Sequence, residues 1–343
     1  MYGLTGRKVI ALPIRQITLN QINYMNKLVF IISLPRSGST LLQKLLLAHN
    51  SVATSSENWL LLTLCYSLYE KDVFTPYNHQ LASTGMADFL KTTGLDSYDE
   101  FIRSFANAAF SKLCDSDDQV VVDKTPRNYL IVPHLARIFP DAKFIILKRN
   151  PIQVFASILS SWRQGRFRYH YRDWIDLNEG PKFLADSIGQ LRDRSVIVDY
   201  EDLVKSPAKE LSDILSFLDL PLEPGLLAKF NPQENLGELG DKSNKYQAVS
   251  QESIESWKLQ FHNFVRKRVA KRYLLELQAS GVLSGLGYDI NKSLAELEVA
   301  ESSSRGNIRD LWDIFVSNLI RRLNLNLVLK VLFIRQLRDR FYA

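Results

Sequence analysis

The chain has 343 residues, 46% of them hydrophobic and 23% charged, a composition that excludes global disorder and allows one large domain or two modest ones. Its two cysteines, Cys65 and Cys114, form no Cys-x-x-Cys pair and its five histidines show no ligand spacing, so neither a disulfide framework nor a structural zinc site is expected, and a reducing, cytoplasmic setting fits. The net charge of +6 is uneven, since residues 308–343 carry +4; this describes a basic tail on a near-neutral body, not a nucleic-acid-binding surface.

Residues 1–24 read as an extension, because Met25 opens the start-like run Met-Asn-Lys-Leu-Val-Phe-Ile-Ile and the only earlier apolar stretch, 9–14, is short and broken by Pro13. No apolar run reaches the roughly 18 residues that a membrane-spanning helix needs. Leu28–Ser33 is continuously apolar, as a strand buried on both faces should be. A break at 35–38 follows, then a helix over 40–49 with Leu41, Leu42, Leu45 and Leu46 on one side. The span 57–113 carries no strand signal and reads as a helical insertion or cap. A short strand is expected at 120–122, a helix over 126–139, and a buried strand at Lys143–Lys148. Pro151 then opens a helix to about Trp162, 196–198 forms a further strand before Tyr200, and 207–218 is an amphipathic helix. Residues 223–260 read as irregular. Strands alternating with helices predict an α/β fold with a central parallel sheet of about four to five strands, a helical cap and an extra C-terminal helical appendage. The expected division is 1–24 extension, 25–290 catalytic domain and 291–343 basic appendage.

The strongest local feature is the passage from buried strand through Leu34-Pro35-Arg36-Ser37-Gly38-Ser39-Thr40 into a helix. Such a loop gathers unpaired backbone N–H groups at the positive end of a helix dipole and so forms an anion site. Gly38 permits close approach, Ser37, Ser39 and Thr40 add hydroxyls, and Arg36 adds a fixed charge. The Mg-ATP loop would require a glycine at 33 and a lysine at 39, where Ser33 and Ser39 stand. A cysteine-phosphatase loop fails too, since neither cysteine is followed six residues later by arginine.

Pro35-Arg36-Ser37-Gly38-Ser39-Thr40-Leu41-Leu42 resembles the 5′-phosphosulfate loop of the sulfotransferases that use 3′-phosphoadenylyl sulfate (PAPS), and Arg149-Asn150-Pro151 with Ser157 resembles that family's 3′-phosphate-binding strand and helix. Weaker likenesses are Tyr200-Glu201-Asp202-Leu203-Val204 with the amphipathic helix from Pro207, similar to the segment near the adenine, and Gly240-Asp241 through Lys245 to Trp257, similar to the late loop over the cofactor. Leu286-Gly287-Tyr288 is similar to the common domain terminus, so the likeness spans about 28–290. It implies a P-loop NTPase-like sulfotransferase fold, PAPS as donor, no metal, and an acceptor bearing a hydroxyl group. Cofactor contacts carried over are Arg36, Ser37, Gly38, Ser39, Thr40, Arg149, Ser157 and Tyr200, with Ser243 and Lys245 from the late loop.

The catalytic positions implied are Arg36, Glu57 and Lys124. An arginine at 36, where many cytosolic members have lysine, resembles the tyrosylprotein and several bacterial branches; guanidinium is a poor proton donor, so it acts by charge and bidentate contact. Glu57, 21 residues after Arg36, matches the tyrosylprotein branch's catalytic glutamate, although an acid there also suits the start of a helix at Asn58. Lys124 matches the lysine that touches the transferring sulfonate, and Arg127 is a further nucleotide candidate. His79 and His134 read as structural. Alternatives are a small-molecule kinase and a non-catalytic nucleotide-binding protein on the same fold. The acceptor cleft is expected at 58–118 and 163–190, the latter holding Arg166, Arg168, Tyr169, Tyr171 and Trp174; aromatics beside cations suit a sugar ring or an anionic glycan as well as a phenol, and a carbohydrate or glycolipid hydroxyl is the expected acceptor, with tyrosine or phenol next. In the tail, Leu311, Ile314, Phe315, Leu319 and Leu323 fit one helical face, which would pack on the body, form a homodimer, or touch a membrane peripherally.

Overall fold

Continuous apolar strands with short links set the centre of the molecule. In the computed structural model, residues 27–322 are described, apart from 71, 72, 74, 76, 95, 96, 117, 168–172, 174 and 232–248. The extension 1–24, Ser243 and Lys245, the aromatic and basic residues 168–171 and 174, and the tail beyond 322 lie outside the described residues. Five strands form one parallel sheet in the order β2-β3-β1-β4-β5: β1 (Leu28–Ser33), β2 (Val52–Thr54), β3 (Val120–Asp123), β4 (Lys143–Lys148) and β5 (Ser195–Asp199). β2 is absent from the expectation: three residues at a sheet edge carry too little pattern to be seen.

The sheet is covered on both faces, as parallel sheets are. Alternate residues of the two central strands divide between two cores, Phe30, Ile32, Phe144 and Ile146 on one side and Val29, Ile31, Ile145 and Leu147 on the other. The second face is closed by α1 (Ser39–Leu47) through Leu41, Leu42, Leu45 and Leu46, together with Leu203, Leu211, Ile214 and Leu215. The first face carries α2 (Leu60–Leu68), α4 (Tyr98–Phe110), α5 (Val132–Ile138), α6 (Pro151–Ser161) and α7 (Gly180–Gln190), with α3 (His79–Thr92) against α2. Beyond β5 come α8 (Tyr200–Lys205), α9 (Pro207–Phe217), α10 (Phe264–Ala279), α11 (Ile290–Val299) and α12 (Asn307–Arg322).

Two expectations are corrected. The helix over 126–139 is broken into a tight turn at Asn128–Leu130 and the short α5, because Asn128 turns back to donate to Asp123 at 2.9 Å. The tail face does not pack on the body, the first of its three expected uses: Ile314 packs on the core, but Leu311, Phe315 and Leu319 are exposed, while Asp310 and Asp313 point inward to Arg266 and Arg166.

Candidate active site

In a parallel sheet every strand points its C-terminal end to the same edge, and the crevice lies where the chain order reverses about the first strand. Each of the five strands here is followed at that edge by a residue singled out in the sequence. Arg36 follows β1, Glu57 follows β2, Lys124 follows β3, Arg149 follows β4 and Tyr200 follows β5.

Between β1 and α1 the chain makes a tight turn closed by the Ser37 amide donating to the Leu34 carbonyl at 3.3 Å. Arg36 sits in the left-handed region (φ 68°), as does Gly38 (φ 93°); a non-glycine residue held there stores strain of about 1–2 kcal/mol. Only glycine is tolerated at 38, since a Cβ would lie 2.3 Å from the Tyr200 ring. No side chain caps α1 and no acid occupies its first turn, so its N–H groups and dipole stay available to an anion. The Ser37 hydroxyl is buried without a partner, and so is the Thr125 hydroxyl beside Lys124. Leaving buried polar atoms unmet costs about 1–3 kcal/mol each, which is how a chain looks where a polar ligand completes the bonding.

Arg36 Nε donates to the Ser157 hydroxyl at 3.3 Å, and its carbonyl accepts from Arg149 Nη1 at 3.0 Å. Arg149 is buried, bonds to Gln153 Oε1 and the Ser253 carbonyl, and lies 4.2 Å over the Tyr200 ring. The Tyr200 hydroxyl meets that of Ser253 at 2.6 Å. Asn150 caps α6 by accepting from the Ile152 amide, which aims the first turns of that helix, and Ser157 with them, at Arg36. The structure thus brings Arg36, Gly38, Arg149, Ser157 and Tyr200 together on one side of the loop.

On the other side, Lys124 Nζ lies 2.7 Å from Glu57 Oε1 and 3.5 Å from Thr40 Oγ1. Lys124 is 2% exposed and Glu57 16%, so the pair sits at the cleft floor with the carboxylate reachable. Glu57 is not a first-turn residue: α2 starts at Leu60, its amide bonded by Asn58 Oδ1, after Trp59 in the left-handed region. Two clamps fix this segment. Upstream, the buried Gln43 of α1 donates to Thr54 Oγ1 and the Ser55 carbonyl at 2.7 and 2.8 Å. Downstream, Asn58 donates to Asp123 at 2.6 Å, and Asn128 to its other oxygen. Burial pushes the Asp123 carboxyl up, with the two amides and Lys124 pulling the other way.

Gln43, Asn58, Asp123, Thr125 and Asn128 escaped the sequence reading. Only Asp123 and Thr125 had a signal, their position flanking Lys124 at a strand end. Arg127 binds Asp176 with both arms (3.2 and 2.5 Å) and lies 6.0 Å over Trp59. Tyr129 donates to Asp176 as well, so these partners tie Arg127 to the turn before α7 and not to the loop. Burial raises the Asp176 carboxyl against the pull of Arg127 and Tyr129. His79 is bonded within the cap to the Tyr66 and Glu70 carbonyls, and His134 stacks on Tyr69. Among the described residues no group of three or more His, Cys, Asp or Glu could hold a metal ion.

The family model described as "Sulfotransferase family" matches residues 29–224. The nodulation protein NoeE of Sinorhizobium fredii (strain NBRC 101917 / NGR234) is 27% identical over 285 residues, 76% of this chain and 65% of that protein. A protein-tyrosine sulfotransferase of Drosophila melanogaster is 25% identical over 281 residues, 76% of this chain and 52% of the relative. The chain therefore spans between half and two thirds of these two relatives. Among solved structures, the sulfotransferase domain from the curacin biosynthetic pathway superposes with a TM-score of 0.51 at 24% identity, covering 76% of this chain and 97% of the domain, a likeness of fold. With that model covering more than half of its length, strand ends and phosphate loop included, the chain belongs to the sulfotransferase family.

Proposed function

We propose that the protein transfers a sulfonate group from PAPS to an acceptor hydroxyl. The observation that carries this reading is the Lys124–Glu57 pair, 2.7 Å apart beside Thr40 at the mouth of an uncapped phosphate loop. A carboxylate and a compact cation at the end of an anion site are what in-line group transfer requires. The partnerless hydroxyls of Ser37 and Thr125 and the Cβ-free approach at Gly38 fit a phosphosulfate in the loop.

When bound, the donor supplies a sulfonate on a phosphosulfate anhydride, with adenosine 3′,5′-bisphosphate as leaving group. The amides of residues 37–40, the hydroxyls of Ser37, Ser39 and Thr40, and Arg36 hold the 5′-phosphate oxygens. The Arg36 guanidinium meets charge growing on the bridging oxygen without giving up a proton. Arg149 and Ser157 take the 3′-phosphate and Tyr200 packs beside the nucleotide, while the late-loop candidates Ser243 and Lys245 lie outside the described residues. Glu57 accepts the acceptor's proton as the new O–S bond forms. Lys124 is shared between the Glu57 carboxylate and the sulfonate oxygens, and Asn58 and Gln43 hold Glu57 in line as positioning residues.

The half-buried Trp59 ring, two residues after Glu57, supports a carbohydrate hydroxyl as acceptor, since a sugar face can stack on indole. The relatives named protein-tyrosine sulfotransferases support tyrosine as a second reading. Incubation with ³⁵S-labelled PAPS and two acceptor pools, oligosaccharides and tyrosine-containing acidic peptides, tests both. Label entering the first pool and not the second is expected. Label in the peptides alone selects tyrosine, and no transfer to any hydroxyl contradicts the proposal.

A further inference from the structure

Helix α12 is built the wrong way round for a helix that merely packs on a body. Its inward side carries Asp310 and Asp313, both with fully buried side chains. Asp310 accepts from Arg266 through both guanidinium arms (2.7 and 3.0 Å) and from Asn263 at 2.7 Å. Asp313 accepts from Arg166 through two arms at 2.9 and 2.7 Å. Its outward side carries Ile308, Leu311, Trp312, Phe315 and Leu319, exposed by 86, 56, 59, 56 and 42%. Rolling the helix to bury these residues would break two bidentate pairs and leave buried Arg266 without its carboxylate, a strongly unfavourable exchange. The ion pairs therefore hold the apolar face outward.

We propose that this outward face of α12 docks on an anionic lipid surface. Charge decides among occupants. Both acids of α12 are turned inward and paired, so they do not oppose an anionic partner. Residues 308–343 carry a net +4, and past 322 they add Lys330, Arg335, Arg338 and Arg340 against the single acid Asp339. Exposed Arg268 lies on α10, the helix against which α12 packs, where Arg272 is paired with Glu276. A second copy would bring like charge against like, and the sequence of residues 323–343 carries the same positive sign. An anionic bilayer satisfies both halves of the pattern, taking large apolar side chains at the headgroup boundary and cations around them. No helix among the described residues is long and apolar enough to cross a membrane, which fits a helix lying in the interface plane.

The test uses the full chain in flotation with phosphatidylcholine vesicles and with vesicles enriched in phosphatidylglycerol. The expected result is binding to the anionic vesicles, released by high salt, and a loss of about tenfold or more in partition for the triple variant Leu311→Ser, Trp312→Ser, Phe315→Ser. That variant should keep its thermal response to adenosine 3′,5′-bisphosphate. Should it fail to fold, Trp312→Phe decides: it should still bind, but lose part of the tryptophan quenching caused by brominated lipid. Equal binding by the triple variant, no preference for anionic vesicles, or quenching unchanged in Trp312→Phe would overturn the proposal. So would a wild-type dimer that ignores vesicles and dissociates in the triple variant, which would assign the face to a second copy.

Discussion

The two halves of the cleft are finished to different degrees. On the side of the turn before α7, the Arg127 guanidinium is met by both oxygens of Asp176, and Tyr129 supplies a further donor, so this ion pair is assembled without a ligand. On the loop side, Ser37 and Thr125 are buried with partnerless hydroxyls, Arg36 is held in left-handed backbone, and α1 has no side-chain cap. The Arg127–Asp176 pair shapes the cleft with its charges already met, whereas the unsaturated loop stores a cost that an anion relieves. Predictions about binding therefore belong to the loop, and those about selectivity to that pair.

The sharpest break is chemical. Glu57→Gln should lower kcat by about 10²- to 10⁴-fold, as expected for loss of a general base, while the thermal shift given by adenosine 3′,5′-bisphosphate persists. Loss of both would mean that Glu57 holds the site together and does not act on the acceptor. Next in size is Arg149→Ala, which should weaken the bisphosphate by roughly 10- to 100-fold, the worth of one or two charge-assisted hydrogen bonds. Binding of ADP, which lacks the 3′-phosphate, should change far less; an equal loss for both, read by calorimetry, would mean that Arg149 only braces Tyr200 and the Arg36 carbonyl. Asn58→Ala sharpens the clamp: a fall of about tenfold in kcat with KM for the donor unchanged is expected of a misaimed base, whereas a change confined to KM would move Asn58 into the binding surface.

The smallest effect concerns the α12 anchor. Burial works to raise the Asp310 carboxyl, but hydrogen bonds from Arg266 and Asn263 outweigh it and hold it below its usual value. A lowered folded value contributes stability that is present above the usual carboxylate range and lost as pH falls through the folded value. Asp123 and Asp176, raised by burial, act with the opposite sign, so the useful quantity is the difference in melting temperature between wild type and Asp310→Asn. That difference should be a few degrees at neutral pH and shrink on acidification below about pH 4. A difference independent of pH would remove the charged pair from the account.

Sequence alone carried much of this because of how parallel sheets are built. Leu28–Ser33 and Lys143–Lys148 are buried on both faces, so they read as unbroken apolar runs, and functional residues collect directly after such runs. Arg36 and Arg149 were legible as candidates for that reason, whereas Lys124, after the short β3, was singled out by its likeness to the family's lysine. Contacts made across the fold left no such trace. Asn58 meets Asp123 from 65 residues away, and Arg127 meets Asp176 from 49; no periodicity encodes either distance. The edge strand Val52–Thr54 was too short to show itself, and the turn at Asn128 depends on Asp123. In α12 the apolar pattern was visible but its direction was not, because Arg266 and Arg166, far away in the chain, decide which side faces in.

The most direct test of the central claim is thermal unfolding with adenosine 3′,5′-bisphosphate set against ADP with Mg²⁺. At about 100 times its dissociation constant a ligand adds roughly 2.7 kcal/mol to stability, a shift of several degrees. The account predicts that shift with the bisphosphate and a much smaller one with Mg-ADP, because it assigns the 3′-phosphate to the Arg149–Ser157 side and the loop lacks the Mg-ATP lysine. A shift with Mg-ADP alone would contradict it, and the loop would then bind nucleotide in the kinase manner.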